Sequence, residues 1–215
     1  VPEPSRLLLI HAAAFRAADL GLSVTLIDTA TNPGGVCLYR GCIPSKALMH
    51  AAKLLNETKE ASAWGLHFGE PRIKVNELRD WKNKVVSQLT GGLGTLTKQR
   101  KINYVQGFAP FKNANTLTVK TAENEAREIA FEHAILATGS QPVKVPSLWI
   151  DSARLMDSTA ALELRDIPKS LLVIGGGYIG LELGSAYAAL GTRVTVVEMT
   201  DGLLPGADRD LVAVL

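Results

Sequence analysis

Cys37 and Cys42 are the only two cysteines in 215 residues, and four residues separate them. Thiols at that spacing can close a redox-active disulfide, contribute to a metal site, or simply pack as reduced side chains. A zinc site needs about four ligands, and His50 is the one other soft donor nearby in the sequence. The flanking residues favour thiol chemistry. Pro44 suits the first turn of a helix, which places Cys42 at or just before a helix N-terminus, where the dipole favours the thiolate. Arg40 and Lys46 add positive charge, and Gly41 lets the chain curl until two sulfurs can meet. A redox disulfide leads among these readings, with plain packing as the alternative.

A second pattern binds rather than reacts. Gly175-Gly176-Gly177-Tyr178-Ile179-Gly180 follows the apolar run 171–174 and leads into a helical stretch at 181–190. A β-branched strand at 193–197 then ends in Glu198, eighteen residues after Gly180 (198 − 180). In this G-x-G-x-x-G, Gly175 permits the tight turn and Gly177 lets backbone amides approach a pyrophosphate. Gly180 permits close packing of helix on strand. Glu198 is placed to accept hydrogen bonds from a ribose 2′-OH, which selects NAD over NADP.

The elements that position these groups repeat one outline. Near the N-terminus an apolar strand at 7–10 precedes an Ala-rich helix at 11–20 stopped by Gly21. A second strand at 23–27 ends in Asp28. Here the glycine-rich turn is missing between Ile10 and His11, although a strand needs a few residues to reverse into a helix packed on it. A true deletion, a misplaced strand and a segment omitted between Ile10 and His11 compete as explanations; omission is favoured, and with it the expectation that the two are not peptide-bonded neighbours. Helices are predicted over 44–56, Ala61–Trp64 and Val75–Gln99, and strands over 103–106, 116–120, 128–131 and 133–136. The last strand runs into Ala137-Thr138-Gly139-Ser140. Residues 141–146 read as a linker, with a boundary near 143. The fold class is α/β: two tandem Rossmann-like nucleotide-binding domains, 1–143 and 144–215, each incomplete in this chain.

Composition narrows the function. Hydrophobic residues make up 47% and charged residues 20%, which excludes disordered, collagen-like and coiled-coil classes. The net charge of +2 (23 − 21) gives no electrostatic footprint for nucleic acid. No apolar run approaches the roughly 18 residues of a membrane span, and Val1-Pro-Glu-Pro-Ser5 is neither a signal peptide nor a basic presequence. A bacterial cytoplasm is the expected compartment, with mitochondrial matrix or plastid as alternatives.

The stretch Gly34-Gly35-Val36-Cys37, four residues, then Cys42-Ile43-Pro44-Ser45-Lys46 resembles the redox motif of the flavoprotein disulfide reductases. Its Ile-Pro-Ser-Lys ending is similar to the dihydrolipoamide dehydrogenase branch of that family. The resemblance continues through 88–93, 137–140, 157–162, 175–184, 196–199 and 204–208. It implies FAD and NAD as cofactors, with Cys37 as the interchange thiol and Cys42 as the thiolate against the flavin. Lys46 would lie by the flavin N5 and pair with Glu182. Asp28 would hold the ribose of the FAD adenosine half, in place of the glutamate more usual there. Gly34, Gly35, Val36, Thr138, Gly139 and Ser140 would line the FAD site, with Ala109 toward the adenine. Tyr178 would gate the nicotinamide pocket, with Ile179 beside it in the NAD loop.

The resemblance also implies a chain about twice this length, a homodimer, and a catalytic base outside this sequence. Its partners would be the lipoyl domains and acyltransferase core of a 2-oxoacid dehydrogenase complex. Tyr39-Arg40 stands where the family commonly has Asn-Val. Two further readings are another FAD-dependent disulfide reductase of the same family and a truncated, non-catalytic nucleotide-binding fragment. No catalytic role is expected for His11, His50, His67 or His133, no metal site is expected, and Trp64, Trp81 and Trp149 are expected to pack.

Overall fold

The computed structural model describes residues 10–121 and 125–215. In chain order its first elements are α1 (Ile10–Asp19), β1 (Thr25–Asp28), α2 (Gly35–Arg40), α3 (Cys42–Glu60), a 3₁₀ turn (Ala61–Trp64) and α4 (Val75–Gln99). Four strands follow: β2 (Asn103–Phe108), β3 (Phe111–Asn113), β4 (Thr116–Thr121) and β5 (Ala126–Ala130). A 3₁₀ turn (Pro146–Leu148), α5 (Ser158–Leu162), β6 (Ser170–Ile174), α6 (Tyr178–Ala189), β7 (Arg193–Val197) and α7 (Arg209–Val212) complete the chain. The contacts group these elements into two compact units, each discontinuous in sequence. One combines the described part of Val1–Arg40 with Val85–Pro142; the other combines Gly41–Lys84 with Val143–Leu215.

In the first unit β1 and β2 pair in parallel, Thr25 opposite Asn103 through Asp28 opposite Gln106. The far end of β2 then pairs antiparallel with β4, which also carries β3 and β5. Helix α1 packs Ala14 against Leu26 and Ile102, with Phe15, Ala18 and Val24 around them. It stops where Gly21 takes up a φ of +86°, a conformation that glycine adopts without strain.

Two expectations fail in this unit. Residues 7–9 of the expected first strand lie outside the described residues, while Ile10 opens α1 and is followed directly by His11 in the same helix. Ile10 is therefore helical and does not end a strand. The strand expected at 133–136 is irregular chain, with Ile135 63% and Leu136 69% exposed. A strand is stable only beside a partner that takes up its backbone hydrogen bonds, and 133–136 has none among the described residues.

In the second unit β6 and β7 pair in parallel, Ser170 opposite Arg193 through Ile174 opposite Val197. Helix α6 connects them as a βαβ crossover. Its Leu183, Ala186 and Tyr187, with Leu190 just past its end, form a core with Leu48 and Ala52 of α3 and Leu162 and Leu164. The 3–4 spacing of these residues is the apolar stripe of a half-buried helix. Each fully buried side chain of this size contributes about 1.5–3 kcal/mol. The Tyr187 hydroxyl donates to the Ala161 carbonyl at 2.8 Å.

Helix α5 shows how polar backbone is handled at the edge of that core. Asp157 caps its start, accepting from the Ala160 N–H at 2.8 Å. The carbonyls at its end would be orphaned, but two cations of α4 reach them. Lys82 Nζ donates to Leu162 O at 2.7 Å, and Arg79 donates to Glu163 O, Leu164 O and Arg165 O at 2.7–3.0 Å. Lys82 is 3% exposed, and that burial pushes its ammonium pKa down.

The tryptophans do not pack as expected. Trp64, Trp81 and Trp149 are 73%, 40% and 47% exposed, and Trp149 carries the Lys144 ammonium over its ring at 4.7 Å. Among the described residues no helix is long and apolar enough to cross a membrane. Replacing Lys82 by Met removes the donor to Leu162 O and leaves that carbonyl unpaired. It should destabilise the full-length protein by about 1–3 kcal/mol, read as a lower urea midpoint at unchanged slope.

Candidate functional site

The glycine loop joins β6 to α6. Gly175 turns the chain at a φ of +109°, and its N–H still donates to Val197 O at 2.8 Å. Gly177 is the N-cap of α6 and supplies no capping side chain, so the amides of the first turn are available to an anion. A Cβ on Gly177 would meet nothing within 4 Å, whereas a Cβ on Gly180 would stand 2.6 Å from the Gly175 carbonyl and 2.9 Å from Val173 Cγ1. One glycine keeps space open for a ligand; the other permits helix and strand to touch. Tyr178 and Ile179 lie exposed on the first turn.

Glu198 closes the loop from the end of β7. Its Oε2 accepts from the Gly176 N–H at 2.6 Å, and its Oε1 accepts from the Thr200 N–H at 2.9 Å and the Thr200 hydroxyl at 3.0 Å. The Thr200 and Gly176 amides lead in holding its carboxyl down at about 2. At neutral pH it is a pure acceptor, suited to ribose hydroxyls and repulsive toward a 2′-phosphate.

A second cluster lies at the start of α3, where Cys42 is the first helical residue, as its position before Pro44 implies. Cys42 is exposed and Pro44 and Ser45 are buried. One turn further, Lys46 Nζ meets Glu182 Oε1 of α6 at 2.5 Å. The Ser45 hydroxyl lies 3.2 Å from the other oxygen of the same carboxylate. Lys46 and Glu182, 136 residues apart, are thus brought together. The side chains are 60% and 31% exposed, and an ion pair so open to water adds little stability. What it fixes is position.

The first unit holds a third cluster, at the end of β1. Asp28 is buried, and its Oδ1 accepts from the Ala30 N–H at 3.0 Å. With Thr29, Ala30, Gly35, Val36, Tyr39 and Arg40 it lines a small recess. Two tyrosines hold the loop above it. Tyr104 donates to Ala30 O at 2.7 Å, and Tyr39 donates to Asn32 O at 2.9 Å. Burial, with Asp28 and Tyr39 nearby, pushes the Tyr104 hydroxyl pKa well up.

Gly34 fits under the Tyr39 ring because a Cβ there would stand 3.0 Å from it. Cys37 is half-buried in α2. Ala109 is half-buried between β2 and β3. Thr138 and Ser140 lie exposed about Gly139 in irregular chain, and none of these four is among the residues lining the recess. Sequence reasoning gave no role to Tyr39, Tyr104 or Thr200. Only Thr200 left a local signal, a hydroxyl two residues after an acid.

Because the folded carboxyl of Glu198 lies below its ordinary 4.5, the unfolded state binds more protons between about 4.5 and 2. Its stabilising contribution is full above the upper value and is lost as pH falls through that window. The Glu198→Gln variant should therefore flatten the acid limb of a stability–pH curve between pH 4.5 and 2, measured by urea midpoints. In the same loop, Gly180→Ala drives a Cβ into the Gly175 carbonyl. It should destabilise the full-length protein by about 1–3 kcal/mol, read as a lower urea midpoint.

The pyridine nucleotide-disulphide oxidoreductase family model matches residues 11–215. Dihydrolipoyl dehydrogenase of Vibrio parahaemolyticus is 48% identical over 204 residues, covering 95% of this chain and 43% of that relative. The Haemophilus influenzae dihydrolipoyl dehydrogenase is 47% identical with the same coverage. Among solved structures, the Cu(II) complex of the HOCl-induced flavoprotein disulfide reductase RclA from Escherichia coli is similar with a TM-score of 0.76 at 30% identity. That match covers 94% of this chain and 42% of the other. LpdA from Mycobacterium tuberculosis shares the fold with a TM-score of 0.84 at 24% identity, over 95% of this chain and 45% of its own. The chain thus spans less than half the length of the relatives it matches. With the glycine loop, its acid and the Cys-x4-Cys helix start in place, the match over 11–215 assigns the chain to the pyridine nucleotide-disulphide oxidoreductase family.

Proposed function

We propose that the whole protein is a dihydrolipoyl dehydrogenase, oxidising protein-bound dihydrolipoyl groups with FAD and NAD⁺. The observation that carries this reading is the 47–48% identity to dihydrolipoyl dehydrogenases over 95% of the chain. On this reading 1–143 is the flavin part and 144–215 the nicotinamide part.

The residues present fit both cofactors. At the nicotinamide nucleotide, the amides after Gly177 receive the pyrophosphate, Gly180 brings α6 close, and Glu198 takes the ribose, with Tyr178 and Ile179 at the mouth. At the flavin adenine nucleotide, Asp28 takes the ribose at the recess beside Gly35 and Val36. Gly34, Ala109, Thr138, Gly139 and Ser140 extend that site on the family pattern. When bound, the two cofactors supply the hydride chemistry that connects a dithiol to NAD⁺.

The chain's own part is thiol exchange. A dihydrolipoyl thiolate attacks Cys37 Sγ in a Cys37–Cys42 disulfide, the S–S bond breaks, and the electron pair leaves on Cys42 as thiolate. The second substrate thiol, losing its proton, attacks the mixed disulfide, closes the lipoyl ring and frees Cys37 as a thiol. Two electrons have then moved from substrate to the cysteine pair. Cys42 stands at the start of α3, with Lys46 one turn on and held by Glu182.

The partners that follow are a second copy of the chain, lipoyl domains and the acyltransferase core of a 2-oxoacid dehydrogenase complex. A bacterial cytoplasm is the compartment that follows. The 30% identity to a flavoprotein disulfide reductase of another kind supports a second reading, a different dithiol substrate in the same chemistry.

Lipoamide-dependent NAD⁺ reduction by the full-length holoenzyme tests the proposal. Cys37→Ser and Cys42→Ser should each lower turnover by about a thousandfold or more while flavin and NADH stay bound. Absence of turnover with dihydrolipoamide, or a preference for NADPH in the wild type, points to the second reading. A full-length protein that binds no flavin overturns both.

A further inference from the structure

Ser45 lies between Pro44 and Lys46 and is 7% exposed, so its hydroxyl must find partners inside the protein. Two acceptors are in reach, the Cys42 carbonyl at 3.1 Å and Glu182 Oε2 at 3.2 Å. A serine hydroxyl has one proton to give, and of the two acceptors the carboxylate is the stronger. Glu182 Oε1 is occupied separately by Lys46 Nζ. Each oxygen of one carboxylate on α6 thus has its own donor, and the donors are successive residues of α3.

Successive helical residues point about 100° apart. A carboxylate that meets both is therefore fixed in orientation as well as in distance. Without the hydroxyl, Glu182 keeps only the Lys46 ammonium, on a long stem that is 60% exposed, and such a pair holds its geometry weakly.

We propose that Ser45 is a positioning residue: its buried hydroxyl orients the Glu182 carboxylate so that it holds the Lys46 ammonium one turn from Cys42. Only the use made of that ammonium in turnover rests on the proposed function; the arrangement of the three side chains does not.

The test is site-resolved acetylation of Lys46 by limiting acetic anhydride, read by mass spectrometry on the full-length holoenzyme. Wild type, Ser45→Ala, Glu182→Ala and the double variant are compared, with Lys53 and Lys59 on the same helix as internal controls. Ser45→Ala should raise the Lys46 rate about threefold to tenfold and leave Lys53 and Lys59 unchanged. It should add nothing in the Glu182→Ala background, because the hydroxyl acts through that carboxylate. In steady state, Ser45→Ala should lower kcat at unchanged KM for NAD⁺.

An unchanged Lys46 rate overturns the proposal, as does an equal effect in both backgrounds or a parallel rise at Lys53 and Lys59. Wild-type enzyme inactive with dihydrolipoamide would overturn the proposed function alone, since the labelling result does not depend on the substrate.

Discussion

Helix α6 lies against β6 because residue 180 has no Cβ; the missing atom would stand 2.6 Å from the Gly175 carbonyl. Much of the second unit depends on that approach. The helix start presents open amides beyond Gly177, and its next turn carries Glu182 to Lys46 and Ser45. Its inner stripe carries Leu183, Ala186 and Tyr187 into the core with Leu48 and Ala52 of α3. One helix therefore presents open amides, carries the accepting carboxylate of the ion pair and supplies core side chains. A rotation that spoiled one role would spoil the others.

Carboxylates act as the connectors. Glu198 bridges the Gly176 amide to Thr200, Glu182 bridges two residues of α3, and Asp28 holds the Ala30 amide. Glu198 and Asp28 take hydrogen bonds from turns that have no regular ladder to satisfy them, whereas Glu182 takes its two from side chains of α3. The same physical need that shapes these turns leaves charged acceptors at the places where a sugar hydroxyl or a cation would be met. At the end of α5 the signs reverse, and buried Lys82 with Arg79 answers carbonyls instead of amides.

Legibility in the sequence followed the range of the interactions. The β6–loop–α6–β7 unit was readable because strand periodicity, glycine spacing and a terminal acid are local. The long helix Val75–Gln99 was readable for the same reason. The helix at Cys42 followed from Pro44 two residues on. The strand at 133–136 was misread because an apolar run states a willingness to be buried, not the presence of a neighbour to pair with. The tryptophans were misread as packing residues because size and apolarity do not say which face a side chain will occupy.

By itself the sequence carried the local patterns: two thiols four residues apart before Pro44, a glycine loop with its acid, and a family pattern running through both. Family membership rests on the match that runs over 11–215. Tertiary structure alone decided which donors meet which acceptors. It brought Ser45 and Lys46 to Glu182 across more than a hundred residues, set two tyrosines over the loop beyond Asp28, and turned α4 cations onto carbonyls at and just past the end of α5. The reason is that a hydrogen bond between distant residues leaves no period in the chain; it exists only once packing has fixed the two helices that carry its ends.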